Sequence, residues 1–214
     1  AALTVGALDT RVDTERTRLV LRAGLTTLLD GSTPLVGAAT PTHRLDLTLA
    51  VPRGTMRGTA HSAPGLSSFF SRSGISLVAG RAALVPAGTA PASAAQRAAA
   101  AGASAVLLYG TPAILPAGGL GLDDSIGVPV VSIPDSSAHA ALRRLRRGQP
   151  VAVAMRESGL ARNVEQDRVA SFSSSGLAFD GGVKPDIVAP GVALATADPG
   201  SNPDGSPRFV TING

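Results

Sequence analysis

The feature that most constrains this chain is the run at residues 184–191, which reads KPDIVAPG. Its centre, residues 186–189, is short and largely apolar, and Pro190 and Gly191 end it with two residues that turn the chain. A short apolar run bounded in this way predicts a buried strand of a parallel sheet. Just upstream, residues 171–176 read SFSSSG, a loop of small polar residues with one aromatic. The carboxyl-terminal part of the chain is therefore expected to belong to a sheet.

Together with Asn213 and Gly214, these segments resemble the subtilisin-like serine proteases. In that family a SFSSxGP-type loop, a KPDIxAPG strand and an NGTSMAxP helix start follow one another in this order. The resemblance implies that the catalytic Ser lies two residues beyond the Asn-Gly pair. It also implies that the catalytic Asp and His, and the Asn that stabilises the oxyanion, lie upstream of a TVGA strand, which here occupies residues 4–7. We therefore expect an internal piece of a larger protease, with no catalytic, cofactor-binding or metal-binding residue of its own.

The composition narrows the classes of partner. The chain is 44% hydrophobic, enough for a sizeable core, but only 3% aromatic. Lys184 is the only lysine, so the net charge of +4 comes from arginine. Scattered arginines without aromatic stacking surface disfavour nucleic-acid binding. The absence of cysteine excludes disulfides and thiolate metal sites, and no apolar run reaches the roughly 18 residues of a membrane span.

The first third of the chain reads as strands. Residues 3–8 predict a buried strand that ends at Asp9, and the protease resemblance implies that it lies beside the KPDIVAPG strand. Two apolar runs around Ala23 and Gly24 predict a hairpin. Residues 42–51 alternate well enough to be a half-buried strand, with His43 at its exposed end.

The middle of the chain mixes strands with two helices. Short strands are predicted on either side of Gly80, then an alanine-rich helix over residues 94–101 with a Ser93–Gln96 capping box and a stop at Gly102. Buried strands are predicted over residues 105–109 and 128–133. The second helix is expected to be capped by Asp135 or Ser136 and to end at Gly148, before a strand over residues 150–154. Its apolar stripe is formed by Ala138, Ala141, Leu142 and Leu145.

This succession resembles the protease-associated domain, whose pattern reads GKVALVxRG, KxxxAxxAGAxAVIxYN and IPVVxI. Residues 80–85, 95–109 and 128–133 match it, although Val85-Pro-Ala-Gly88 replaces the Arg-Gly dipeptide. The resemblance implies an α/β fold: a β/β/α protease-associated domain of the swivelling type, a small closed sheet with two helices, flanked by remnants of a subtilisin-like parallel sheet. The expected division is 1–33 for the leading strand and hairpin, 34–158 for the domain, and 159–214 for the second protease segment.

Several polar groups within the chain have the residue types of a functional site. Ser62, His61 and the pair Asp123–Asp124 have the residue types of a triad, but no Gly-x-Ser-x-Gly or His-Gly-Thr motif surrounds them, so solvated loops are favoured. The loop at residues 198–205 has oxygen ligands suited to a hard cation, and a plain hydrophilic connection is favoured over it. The glycine-rich run 118–124 lacks a following Lys-Ser/Thr, which disfavours nucleotide binding and favours a lip over a groove.

The second helix carries four arginines near its carboxyl end, Arg143, Arg144, Arg146 and Arg147. A solvated face with cations placed favourably at a helix C-terminus is preferred to a patch for an acidic partner. His139 on the same helix is expected to be exposed and not a metal ligand, since no second ligand stands at helical spacing.

The resemblances together imply a secreted serine endopeptidase as the parent protein, of which this segment alone is inert. The domain would select substrates, shield the cleft or mediate self-association, and no cofactor is expected. The partners would be a peptide or protein substrate, the remainder of the catalytic domain, or a second copy. The alternative is a protease-associated peptide-binding module of a receptor or of an exopeptidase. An exopeptidase with a metal centre would need clusters of His and carboxylate residues that the sequence lacks.

Overall fold

The computed structural model describes residues 3–55, 63–110, 122, 126–170, 173, 176–177, 181–201 and 204–214. Its contacts divide the chain into two compact units: unit 1 is Ala1–Thr14 with Leu160–Gly214, and unit 2 is Glu15–Gly159. The strands are β1 (Val5–Asp9), β2 (Asp13–Ala23), β3 (Thr26–Ala38), β4 (Leu45–Ala50), β5 (Ala82–Pro86), β6 (Ala105–Tyr109), β7 (Pro129–Ser132), β8 (Ala152–Arg162), β9 (Arg168–Val169), β10 (Gly176–Leu177), β11 (Val183–Lys184), β12 (Ile187–Pro190), β13 (Leu194–Ser201) and β14 (Pro207–Ile212), and the helices are α1 (Pro91–Ala100) and α2 (Asp135–Arg146).

Unit 2 is a closed barrel of seven strands in the order β2-β3-β7-β6-β5-β4-β8. Strands β4, β5, β6 and β7 are parallel neighbours, and the remaining pairs that the register defines are antiparallel. Every residue of β5, β6 and β7 is buried, which explains their continuous apolar sequences. The expected closed sheet with two helices is confirmed in this unit.

Two hydrophobic clusters cover the two faces of the parallel strands. Alternate residues such as Leu84 and Leu107 join one cluster with Leu142 of α2 and Met155 of β8. The intervening residues, among them Val85, Val106 and Leu108, join a second cluster with the alanines of α1. The small side chains of α1 let it lie close to the strands, so Ala94, Ala95 and Ala98 are fully buried.

The hairpin predicted around Ala23 and Gly24 is present as β2 and β3. Gly24 has a φ of 55°, a left-handed conformation that glycine adopts without steric cost. Leu19 and Leu21 point from β2 into the barrel core. Because of this packing, residues 15–33 lie in unit 2, whereas the sequence-based division placed them with the leading segment.

The helix starts differ from the prediction, and the helix ends agree with it. Helix α1 begins at Pro91, whose fixed φ suits the first helical position, so Ser93 lies inside the first turn and forms no capping box. Neither Asp135 nor Ser136 caps α2, which follows Pro134; the Oδ1 of Asp135 instead accepts a hydrogen bond from Gly110 N at 2.6 Å. Gly102 and Gly148, with φ of 89° and 71°, close the two helices as predicted.

The strand predicted just before Gly80 is absent. Ser76 forms only an isolated bridge with Phe70. Its hydroxyl accepts hydrogen bonds from the backbone N–H groups of Val78 and Ala79, a local turn that competes with strand formation. The preceding segment, predicted as loop, contains a short 3-10 helix over Leu66–Phe69 that buries Phe69 completely.

Unit 1 contains a three-stranded sheet in the order β12-β1-β9 and two small hairpins, β10–β11 and β13–β14. Strands β1 and β12 run parallel, with Val5 opposite Ile187 and Leu8 opposite Pro190. The expected neighbourhood of these two segments is confirmed. The expected burial of β12 is wrong for this chain, because Ile187 and Val188 are 49% and 44% exposed. Among the described residues, β12 has a sheet neighbour on one side only.

Neither α1 nor α2 has the length and apolar character that crossing a bilayer would require, among the residues described.

The barrel core gives a direct test of the fold. Leu107 is fully buried in β6, so Leu107→Ala should lower the free energy of unfolding of unit 2 by about 2–5 kcal/mol. Leu25, at the tip of the β2–β3 turn, is fully exposed and serves as the control, because Leu25→Ala should change stability by less than about 0.5 kcal/mol. Urea denaturation followed by circular dichroism measures both, and equal effects would contradict the barrel packing.

Candidate functional site

Strands β1 and β12 are joined at their start by a polar clamp made of Thr4, Lys184 and Asp186. The backbone N–H and the hydroxyl of Thr4 each donate to Asp186 Oδ2 at 2.8 Å, across 182 residues of sequence. The ammonium of Lys184 donates to both carboxylate oxygens of Asp186 at 2.7 Å. In return, Asp186 N donates to Thr4 O at 3.0 Å. Asp186 of the KPD motif thus fixes the register of the strand pair, and Lys184 holds its carboxylate.

These contacts stabilise the charged form of the Asp186 carboxyl. The hydrogen bond from Lys184, followed by those from the backbone and side chain of Thr4, lowers the pKa of Asp186 to about 2. The carboxylate therefore stays ionised throughout the neutral and mildly acidic range, as an acceptor needs to be. Its role in this geometry is to hold two strands together.

Two glycines let the motif segments approach more closely than any side chain would allow. A Cβ at Gly6 would lie 2.5 Å from Cγ of Pro185. A Cβ at Gly191 would lie 2.2 Å from the carbonyl oxygen of Gly214 and 2.6 Å from Cβ of Ala7. The Gly of TVGA and the last Gly of KPDIVAPG are therefore required by packing and not by unusual backbone angles.

The SFSSSG segment contacts the same strand. Ser173 Oγ accepts a hydrogen bond from Ala7 N at 3.0 Å. Ala170, at the end of β9, donates from its N to Ala7 O at 2.8 Å. Ala170 and Ser173 therefore bind the edge of β1 that lies opposite β12.

Asn213 and Gly214 lie where β1 and β12 end. Gly214 N donates to Gly191 O at 3.0 Å, and Asn213 Oδ1 accepts from Ala193 N at 2.8 Å. In α/β proteins, the space beyond the carboxyl ends of parallel strands is where sites form. The three motifs thus converge at one end of one small sheet, which we call the strand-end platform: Ala7, Gly191, Asn213 and Gly214.

Unit 1 has a second group of interacting polar residues, Asp9, Arg11 and Asn163, which no sequence pattern indicated. Asp9, almost completely buried at the end of β1, accepts hydrogen bonds from Arg11 N, Nε and Nη2. Asn163 Nδ2 donates to Arg11 O at 3.0 Å, and Asn163 N donates to Val12 O at 2.8 Å. Burial raises the pKa of Asp9, but the hydrogen bonds from Arg11 and Asn163 outweigh it, so the pKa lies below its ordinary value. This group ties the segment leaving β1 to the segment that follows β8.

Among the described residues of unit 2, one titratable side chain is buried: Tyr109, at the end of β6. Burial, and then the negative charge of Asp135, raise its pKa to about 12, so the phenol is neutral at physiological pH. The ring of His139 meets it edge to face at 6.0 Å. His139 is exposed, as predicted. The contact is a packing arrangement at the surface of α2.

Ser62, His61, Asp123 and Asp124 lie outside the described residues, as does the glycine-rich run 118–124 except for Leu122. The triad and phosphate-loop alternatives therefore stay untested.

The 198–205 loop belongs to the hairpin β13–β14, and its residues 202 and 203 lie outside the described part. Asp198 pairs with Arg208 of the opposite strand, and Asp204 accepts hydrogen bonds from Ser206 N and Oγ. These carboxylates are engaged locally, which favours the hydrophilic connection. Within the described residues, no group of three or more His, Cys, Asp or Glu side chains could hold a metal ion.

Neither the protein-family models nor the curated proteins include a match to this chain. Several solved structures are similar to it. A zinc aminopeptidase from Bacillus subtilis is 20% identical with a TM-score of 0.45, and the match covers 74% of this chain and 35% of that one. An aminopeptidase from Aneurinibacillus sp. strain AM-1 is 21% identical with a TM-score of 0.44, covering 70% and 34%. A psychrophilic subtilisin-like protease from the Antarctic psychrotroph Pseudoalteromonas sp. AS-11 is 17% identical with a TM-score of 0.45, covering 72% and 36%.

This chain spans about a third of the length of each of these peptidases. Identities of 17–21% with TM-scores of 0.44–0.45 do not assign a function to this chain.

The clamp predicts how acid affects unit 1. Since the folded pKa of Asp186 is depressed to about 2, its contribution is present above the unfolded value of about 3.9 and is lost as the pH falls from about 4 to about 2. Asp186→Asn should therefore make unit 1 less stable at neutral pH and remove the part of the pH dependence in that window that Asp186 contributes. Asp167→Asn is the control, since Asp167 is exposed and its φ of 59° suits asparagine. Hydrogen exchange of the β1 amides against pH measures both.

The close approach at Gly191 predicts a steric effect. Gly191→Ala should destabilise unit 1 by about 1–3 kcal/mol, because the added methyl overlaps Gly214 and Ala7. Gly159→Ala, where an added Cβ has no neighbour within 4 Å, should be nearly neutral. Hydrogen exchange of the β1 and β12 amides reports the difference, and undisturbed protection in the Gly191 variant would contradict this packing.

Proposed function

We propose that this chain is an internal segment of a secreted subtilisin-like serine endopeptidase, with a protease-associated domain inserted within its catalytic sheet. The observation that carries the proposal is the parallel pairing of β1 with β12. The residues that make the pairing specific are the motif residues themselves: Thr4 and Gly6 of TVGA, and Lys184, Asp186 and Gly191 of KPDIVAPG. A chance match of sequence letters would not require these residues to contact one another.

In this proposal, the segment contributes to catalysis by positioning. Asn213 and Gly214 are held at the carboxyl ends of β1 and β12 by two hydrogen bonds, one from Gly214 N to Gly191 O and one from Ala193 N to the side-chain oxygen of Asn213. The protease resemblance puts the nucleophilic serine two residues beyond Gly214. The acyl-enzyme chemistry itself would use that serine and the other triad members, all outside this chain. The 214-residue segment is thus expected to be inert alone.

Unit 2 would be the accessory module of this enzyme. It has a closed barrel and hydrophobic clusters of its own, as an inserted domain requires. Its proposed roles are to select peptide or protein substrates, to shield the cleft or to mediate self-association. The remainder of the catalytic domain would be the partner of unit 1.

The alternative is a protease-associated peptide-binding module of a receptor or an exopeptidase. The self-contained barrel of unit 2 fits that function equally well. The alternative does not explain the clamp and the strand-end platform of unit 1. For this reason the endopeptidase is preferred.

A fluorophosphonate probe, which labels activated serines, tests the proposal. The 214-residue chain should remain unlabelled, and the longer natural protein should be labelled at the serine expected two residues after Gly214. Replacing that serine by alanine should abolish labelling and proteolysis, with the barrel still folded by circular dichroism. Labelling of the 214-residue chain itself, or a natural sequence other than Thr-Ser-Met-Ala beyond Gly214, would refute the proposal.

A further inference from the structure

The carboxyl-terminal half of α2 carries a cluster of arginines that the proposed function does not use. Arg143, Arg146 and Arg147 are exposed, and none of them forms an ion pair with a described carboxylate. The guanidinium of Arg144 donates to the side-chain oxygen of Gln149, a neutral acceptor. Over residues 135–149 there are four arginines and one aspartate, and that aspartate stands at the opposite end of the helix.

Helix stabilisation alone does not require this much charge. A helix C-terminus carries about half a negative elementary charge, which one cation in the last turn largely offsets. Four cations within five residues repel one another, because like charges one turn apart are unfavourable. The excess of positive charge is therefore available to a partner.

Arg143 and Arg146 of α2, and Arg147 directly after its last residue, project from one side of the helix. At 3.6 residues per turn they fall within an arc of about 100°. The stripe of Ala138, Ala141, Leu142 and Leu145 lies on the opposite side, where it packs against the barrel. Arg143 and Arg147 are one turn apart, about 6 Å along the axis. An extended peptide brings alternate side chains to the same side at intervals of about 6.6 Å, which is close to that spacing.

We propose that this arginine face of α2, Arg143 with Arg146 and Arg147, binds an extended peptide segment with acidic side chains at alternate positions. Arginine suits such a ligand, because its planar guanidinium donates two parallel hydrogen bonds to a carboxylate. A lipid surface is a poorer match, since the large exposed hydrophobic side chains of the described residues include none on α2 to insert into it. A nucleic acid is a poorer match because the helix has no aromatic side chain other than the ring of His139 on which bases could stack.

Binding to the intact 214-residue chain tests the assignment. The probe is a fluorescent eight-residue peptide of alternating Glu and Ser, followed by anisotropy at about 20 mM and about 150 mM salt. The triple variant Arg143→Gln, Arg146→Gln, Arg147→Gln should weaken binding by about tenfold or more. A matched control, Arg22→Gln, Arg72→Gln, Arg81→Gln, removes the same charge from scattered exposed positions and should change binding by less than about twofold. Affinity should fall at the higher salt.

Three results would contradict this assignment. Equal losses in the two triple variants would mean that net charge, and not this face, attracts the peptide. Tighter binding to vesicles with anionic lipid, to a sulfated oligosaccharide or to single-stranded DNA would assign the face to another class of partner. No anisotropy change with about 1 mM peptide at low salt would refute the binding altogether. Each result concerns α2 alone, so it is independent of whether the parent protein reacts with the fluorophosphonate probe.

Discussion

The parallel pairing of β1 with β12 is the constraint on which unit 1 depends. It joins residues 182 positions apart, and ordering so long a loop would be costly if the intervening chain were unstructured. The barrel removes most of this cost, because its closed sheet brings the two ends of unit 2 together. Ser158 Oγ donates to Glu15 Oε1 at 2.9 Å, and Thr17 donates to the carbonyl of Arg156. Once the barrel has folded, the chain left between β1 and β12 outside unit 2 is residues 10–14 and residues 160–186.

The buried clasp of Asp9, Arg11 and Asn163 follows from the same constraint. The two connections leave and re-enter unit 1 at neighbouring points, and their backbone groups need partners where strand pairing stops. Asn163 supplies them to Val12 and Arg11, while Asp9 holds the Arg11 side chain. The clasp therefore joins the two connections beyond the end of the strand pairing, largely through side-chain hydrogen bonds.

The sequence predicted those features of the fold that are determined by a pattern of a few neighbouring residues. The apolar runs of β6 and β7 and the glycine stops at Gly102 and Gly148 were confirmed, because burial on two faces and a left-handed C-cap each leave a mark within a few residues. The helix starts were wrong, since Pro91 overrode the serine cap and Gly110 N engaged Asp135. The KPDIVAPG motif was visible in the sequence. The hydrogen bonds of Asp186 with Thr4 join residues 182 positions apart, and a local pattern does not show such a contact. The domain family and the parent enzyme remain proposals.

The two units differ in how completely they bury their apolar side chains, and this difference bears on the proposed parent. In unit 2 the side chains of β5, β6 and β7 are all buried, and the large exposed apolar side chains of its described residues, Leu25, Leu66 and Ile75, lie outside its strands. In unit 1, Val5, Ile187 and Phe209 are 59%, 49% and 65% exposed. Exposed apolar side chains on paired strands are typical of a surface that packs against further protein. In the proposed parent, unit 2 is an inserted domain with hydrophobic clusters of its own, and the exposed apolar strands of unit 1 would be covered by the rest of the catalytic fold.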